Sequence, residues 1–425
     1  MTAAVAPTAV EPTDHEVAPA RMVGSRVPRL TGRPWRLALV KGAIAYVASR
    51  FIVLAAGGLI AAADAYRAII NGLEGVAGFR PRPQSAGGFV TKMLTSWDGL
   101  WYLQIVRDGY PRHVINPVTY FDDGARAAFF PLFPMTVRAI DTVFPGHETA
   151  AALLLNFVLG GVFIVLVGLI ARRVGGDRIA TRAMVLAALF PGSFVLSFAY
   201  AEAMFLCLAA GALYLLMDRR WFAAGVVAAL ATATRPNGLA VVVACLAAAL
   251  AACKAPDGFR WQWRPFVAPL LAPAGFVAFQ VWLGAHTGEW SVWFRVQRQA
   301  WGEGASFGLT ALTKTVNFTL HPFHSAVNVV TALCVAATIG CLVALWKARL
   351  PLVLTVYAVG IVVMMLMPAT VTARPRFLFT AFPLFIAFPI VWPRKDDDWW
   401  SLLLALNAAG LMGVTALYGL LAAIP

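Results

Sequence analysis

A carboxylate ringed by aromatic side chains is the first feature of this chain suited to chemistry. Asp98 lies in Ser96-Trp97-Asp98-Gly99-Leu100-Trp101-Tyr102. Partial desolvation at a membrane surface favours a role as general base. Tyr102 follows four residues later and shares a helix face with it. The plainer reading is a helix-start carboxylate stabilised by the helix dipole. Glu202, in Tyr200-Ala201-Glu202-Ala203-Met204-Phe205, is the only acid between Asp177 and Asp218. An ionisable group within so apolar a stretch is a functional candidate by default; a turn residue facing outer water is the alternative.

Cations complete the set. Arg235, in Thr234-Arg235-Pro236-Asn237-Gly238, sits alone at a helix–turn–helix apex. Its fork suits a phosphate, and it could equally snorkel or pair with Glu202. Arg374 and Arg376, in Ala373-Arg374-Pro375-Arg376-Phe377, break the charge rule on the outer side. They are candidates for a lipid phosphate or for ordinary headgroup anchoring. Other groups carry less. Asp108 and the pair Asp122-Asp123 read as solvated loop acids more readily than as metal ligands, and no metal site is expected. His321 and His324 sit at the edge of a span, and Trp290, Trp293 and Trp301 resemble an aromatic belt. The five cysteines fall in no CxxC, so neither a zinc site nor a disulfide framework is expected. No P-loop, GxSxG, HExxH or GxGxxG context is present.

These residues need elements to hold them, and composition says which kind. The 425 residues are 60% hydrophobic and only 13% charged, about half the charge of a soluble domain. Soluble enzymes, disordered chains and nucleic-acid binders are thereby excluded, and an all-α polytopic membrane protein remains. About eleven spans are expected, at 42–63, 151–171, 183–199, 202–217, 221–234, 237–253, 266–285, 324–346, 351–367, 377–392 and 400–423. The apolar stretches 183–217 and 221–253 would each be about 50 Å long as one helix, too long for a ~30 Å core, so each reads as a hairpin.

Residues 1–36 read as a disordered basic tail and 37–425 as one membrane domain. The net charge of +14 then reflects Lys and Arg gathered in cytoplasmic loops, with the N-terminus inside. That orientation leaves 64–150 and 286–323 as long extracytoplasmic loops. Eight of the 20 acids fall in the first: Asp64, Glu74, Asp98, Asp108, Asp122, Asp123, Asp141 and Glu148. Two stretches in that loop have helical periodicity: Leu94, Trp97, Trp101 and Ile105, then Phe133, Val137, Ile140 and Phe144. Trp-bearing helices of this kind suit a membrane interface.

The ordered set of the Trp-Asp-x-x-Trp-Tyr segment, Phe129-Phe130-Pro131-Leu132-Phe133-Pro134, the Glu202 segment and Arg235-Pro236-Asn237-Gly238 resembles the GPI mannosyltransferase 2 (PIG-V) type of the GT-C glycosyltransferases. That family usually has Ser where this chain has Pro236, so the position after Arg235 carries no side-chain chemistry.

The resemblance implies a GT-C-like membrane enzyme of the plasma membrane, with its active site outside. It implies inverting transfer of mannose from polyprenyl-phosphate-mannose to a lipid-linked or cell-envelope glycan acceptor. No further cofactor is implied. Asp98 would deprotonate the acceptor. Arg235, Arg374 and Arg376, with His321, would hold the donor phosphate. Glu202, Trp97, Trp101 and Tyr102 would contact acceptor or sugar. Arabinofuranose is an alternative donor sugar, and a lipid or sugar flippase is the alternative of a different class.

Overall fold

The computed structural model describes residues 32–74, 85–255, 258–322, 324–370, 373–393 and 397–420. Most of the expected tail, 1–31, lies outside them, and the first helix already begins at Arg33. Helix α1 (Arg33–Glu74) leads into a compact helical region made of α2 (Ala86–Leu94), α3 (Asp98–Asp108), a 3-10 turn (Asp123–Ala128) and α4 (Leu132–Val143). Helices α5 (Glu148–Leu189), α6 (Glu202–Met217), α7 (Trp221–Thr232) and α8 (Leu239–Ala252) follow, then α9 (Val267–Leu271), α10 (Ala274–Thr287), α11 (Val292–Ala300) and α12 (Leu309–Leu320). The chain ends with α13 (Ala326–Ala348), α14 (Leu352–Leu366), α15 (Pro375–Thr380), α16 (Leu384–Val391) and α17 (Asp397–Gly419). A two-residue hairpin, Lys254–Ala255 against Gly258–Phe259, is the small strand pair that periodicity did not suggest.

Five segments are long and apolar enough to cross a bilayer: Arg33–Ala63, Glu148–Leu189, Arg264–Thr287, Ala326–Ala348 and Asp397–Gly419. Four shorter apolar helices accompany them: Glu202–Met217, Trp221–Thr232, Pro236–Ala252 and Leu352–Leu366. The fold is thus all-α and of the polytopic membrane kind, with a helical region after the first long helix. Two expected spans take another form. Stretch 183–199 begins in the helix that follows a break at Gly176, where the Glu148–Leu189 segment divides in two, and continues as the 3-10 turn Pro191–Leu196. Pro191 disfavours the α conformation at Phe190, which is extended at ψ 139°. Stretch 377–392 divides into α15 and α16 at Pro383. The expected connection at 172–182 is a break at Gly176, whose φ of 80° only glycine adopts cheaply, and Met184 beyond the break lies against Gly168 before it.

Two apolar cores result. The larger joins α1, α5, α6, α8, α14, α16 and α17. The smaller forms around Trp101, Tyr102, Ile105, Phe130, Phe133, Phe279 and Val296. The helices anticipated in the first loop are present as α3 and α4; Trp101, Ile105, Phe133 and Val137 of their stripes enter this second core, whereas Leu94 and Trp97 join the larger one and Phe144 is exposed. The first stripe is interrupted, because α2 ends at Leu94 and a turn separates it from α3. Ile105 and Phe133 have no exposed surface; burying each contributes roughly 1.5–3 kcal/mol.

Helix α5 links the two ends of the bundle. Near its start Glu148 pairs with Arg107 of α3 at 3.4 Å. Some 24 residues on, Arg172 lies 4.8 Å from the Trp35 ring at the start of α1. That separation is about 36 Å at 1.5 Å per residue, enough to cross a bilayer core.

Candidate active site

Asp98 is placed by a strained turn. Trp97 has φ 56°, a region bulky residues avoid at a cost of about 1–3 kcal/mol. The turn is held from several sides. Ser96 Oγ donates to Met93 O at 2.8 Å, Trp97 Nε1 donates to Tyr418 O at 3.4 Å, and Ala199 N donates to Leu94 O at 2.8 Å. This turn makes Asp98 the first residue of α3, where the helix dipole favours its charge.

Glu202 is the first residue of α6 and has no exposed surface, so the outward-facing alternative is excluded. The irregular segment before it is held by Asn156, whose Nδ2 donates to Phe198 O at 2.6 Å and Tyr200 O at 2.7 Å. Arg235 follows the end of α7, where Leu132 N donates to Ala233 O at 3.1 Å and docks α4. Arg376 stands in the first turn of α15, which packs on the 3-10 turn at Gly192. A Cβ on Gly192 would lie 2.0 Å from Pro375 O, so only glycine allows this approach.

These four charged residues meet. Arg376 Nη2 donates to Asp98 Oδ2. Arg376 Nε lies 2.6 Å from Glu202 Oε1, and Arg235 Nη1 lies 2.7 Å from the same oxygen. Two carboxylates thus balance two guanidinium groups. Burial opposes the charge on Arg376, but Asp98 and Glu202 outweigh it and raise its pKa. Its guanidinium also sits 5.0 Å from the Tyr200 ring and 5.2 Å from the Phe377 ring. Among the described residues Asp98 Oδ1 has no hydrogen-bond partner.

A cavity of about 180 Å³ opens on this network, lined by Asp98, Tyr102, Arg235, Trp301, Glu303 and Arg376 among others. It adjoins a larger, mainly apolar one of about 450 Å³, bordered by Trp293, Phe294, Met364, Met365 and Met367. Both share Pro236, Asn237, Gln297, Glu303 and Phe377. An aromatic layer roofs the smaller cavity. Phe129 packs on Tyr102 at 5.0 Å and on Trp301 at 5.6 Å. Burial raises the pKa of Tyr102, so its phenol is a hydrogen-bonding group and not an anion.

The other anticipated residues lie elsewhere. Glu202 is behind Arg235 and Arg376 and lines neither cavity. Trp101 is buried in the second core against Tyr120 and Phe129, and Trp97 serves the turn. His321 is exposed at the end of α12 and lines neither cavity. Arg374 is 3% exposed, and among the described residues its Nε and Nη1 have no partner. Burial lowers its pKa. Lys314 is shifted the same way, by burial and then by Arg374.

The loop acids have local partners: Asp122 accepts from Thr119 N and Oγ1, Asp123 from Gln104 Nε2, and Asp108 faces Arg126. No group of three His, Cys, Asp or Glu able to hold a metal occurs among the described residues.

Sequence reasoning missed Glu303, Gln297, Asn156 and Gly192. An acid between glycines, Gly302-Glu303-Gly304, was the available signal for the first; the others carry no local signature. Burial raises the pKa of Glu303.

No protein-family model matches the chain, and no curated protein matches it. Solved structures with similar helical arrangements include ArnT from Cupriavidus metallidurans bound to undecaprenyl phosphate, with 13% identity, 78% of this chain and 74% of that one covered, and a TM-score of 0.43. An Archaeoglobus fulgidus oligosaccharyltransferase in the apo form matches at 13% identity over 87% of this chain and 55% of that one, TM-score 0.40. The same enzyme tethered to an acceptor peptide matches at 14% identity over 78% and 50%, TM-score 0.39. The chain spans about half the length of that oligosaccharyltransferase.

Proposed function

We propose that this chain is a GT-C-like membrane glycosyltransferase, with its N-terminus in the cytoplasm and Asp98 on the extracytoplasmic side. In this reading it moves mannose from polyprenyl-phosphate-mannose to a lipid-linked or cell-envelope glycan acceptor, with inversion. The observation that carries the proposal is the ion-paired network Asp98–Arg376–Glu202–Arg235 at the wall of a small polar cavity that adjoins a Met-lined apolar one. A polar reaction chamber beside a slot of flexible apolar side chains suits a substrate with a sugar head and a long lipid tail.

In the proposed reaction the acceptor hydroxyl gives its proton to Asp98 Oδ1. Its oxygen then forms a bond to the anomeric carbon as the bond from that carbon to the phosphate oxygen breaks. Polyprenyl phosphate departs with the electron pair. Arg376 fixes Asp98, and Glu202 fixes both guanidinium groups. Because carboxylates already balance Arg235 and Arg376, the leaving phosphate is assigned to Arg298, which lines the apolar cavity and has no acid partner among the described residues, with Arg374 and Lys314, which line neither cavity, as further cations. Lys314 Nζ donates to Thr370 O at 3.4 Å, next to the Met367–Pro368 border of the apolar cavity. Glu303, Gln297 and Tyr102 then face the acceptor.

The test supplies purified protein in lipid with labelled polyprenyl-phosphate-mannose and, separately, the arabinofuranose donor. A covalent mannosylated product supports the reading, and product from the arabinose donor alone overturns the sugar. Movement of lipid across liposomes with no covalent product from either donor replaces the enzyme reading by a flippase.

A further inference from the structure

The opposite end of the bundle carries a second charged cavity that the proposed transfer does not use. It has a volume of about 390 Å³ and lies where α1, α5 and α17 meet, within the ~300–1,000 Å³ range of small-ligand sites. Lys41, Arg178, Arg182 and Thr181 line it together with Trp400 and Leu404. Three cations line it, and Asp397 at the start of α17 pairs with two of them. Asp397 Oδ1 accepts from Arg182 Nη2 at 2.8 Å and lies 3.6 Å from Arg178 Nη2, yet Asp397 is 79% exposed. Lys41 has no ion-pair partner among the described residues.

Arg182 is itself 7% exposed and lies 4.7 Å from the Trp400 ring. Its charge is therefore held in a fixed, partly desolvated position, where an anion gains more than at an open surface. Val185, Trp400 and Leu404 supply an apolar wall, and on α1 the exposed Leu37 and Ile44 share the helix face of Lys41.

From this geometry we propose that the α1–α5–α17 cavity binds the phosphate of an anionic glycerophospholipid, whose acyl chains run along α1. The phosphate sits between Lys41, Arg178 and Arg182, a basic pocket between membrane helices of the kind that takes acidic headgroups. Tryptophan at this level packs against the glycerol region. This inference is independent of the catalytic proposal, since the cavity shares no lining residue with the two cavities beside the carboxylate network.

The experiment delipidates full-length protein in neutral detergent and measures thermal stability after adding back phosphatidylglycerol, phosphatidylcholine or inorganic phosphate at equal phosphate concentration. Lys41→Gln combined with Arg178→Gln is the test variant, and Arg36→Gln, a neighbouring exposed cation outside the cavity, is the control. The expected result is a Tm rise of about 5 °C for wild type and the control with phosphatidylglycerol only, and less than half that rise for the double variant. An equal rise with inorganic phosphate would assign the site to the free ion and overturn the lipid. An equal rise with phosphatidylcholine, or an equal loss in Arg36→Gln, would show unspecific surface association and overturn the site. If the double variant is too unstable to measure, copurified phosphatidylglycerol counted by native mass spectrometry on the single Lys41→Gln variant decides. Retention equal to wild type contradicts the proposal.

Discussion

The two ends of this bundle hold similar residue types and use them differently. At one end Glu202 is fully buried between Arg235 and Arg376, and Asp98 completes a neutral, four-membered network facing a cavity. At the other, Asp397 is 79% exposed beside Arg178 and Arg182, and Lys41 has no ion-pair partner among the described residues. Burial is the difference. Charges removed from water cost most when unmatched, and the matching around Glu202 fixes their positions and lets one face a reacting atom. Charges left near water tolerate imbalance, which suits orientation in the membrane and attraction of acidic headgroups.

The comparison breaks most readily at Glu202. Glu202→Gln leaves two buried guanidinium groups short of a counter-charge, and denaturation in detergent should show a loss of about 3–5 kcal/mol. Wild-type stability in that variant would mean that the network does not hold this end together. Gly192→Ala comes next. The added carbon meets Pro375 O, so α15 must shift and carry Arg376 with it. A loss of about 1–3 kcal/mol is expected, together with reduced transfer at unchanged expression; full activity would show that Arg376 tolerates displacement.

Asp397→Asn, at the other end, should cost at most about 1 kcal/mol and leave transfer within two-fold, on the order of 0.4 kcal/mol in barrier. A large loss of activity there would erase the contrast. Glu303→Gln has the smallest effect. Burial holds the Glu303 pKa above its ordinary value, so its ionised form is the destabilising one. Stability is retained below the ordinary glutamate range and declines as pH rises through the elevated pKa. The Gln variant should therefore melt a few degrees higher at most near neutral pH, with the gap closing in acid. A gap that widens in acid would reverse the assignment.

The contrast also marks what was legible in the chain. Asp98, Glu202, Arg235 and Arg376 stood out because each charge interrupts an apolar or aromatic stretch, and such interruptions are costly unless used. A pairing of Arg235 with Glu202 was among the readings, but that Asp98 and Arg376 join it was not legible, since it depends on backbone contacts far apart in sequence, such as Ala199 to Leu94 and Leu132 to Ala233. The long apolar helices were plain from composition. The divisions at Phe190 and Pro383 depended on proline within hydrophobic runs, where periodicity is silent. Trp101, which the resemblance would place against acceptor or sugar, fills the second core. Arg374 and Arg376, two residues apart, looked equivalent; α15 turns one to the carboxylates and leaves the other unpaired.

The central claim is that Asp98, held by Arg376, takes the acceptor's proton. Single-turnover transfer from labelled polyprenyl-phosphate-mannose by purified Asp98→Asn protein tests it most directly, with melting temperature and donor binding measured alongside. The account predicts a fall in rate of about 10²–10⁴-fold with donor binding retained. Transfer by a folded Asp98→Asn protein at the wild-type rate would contradict it.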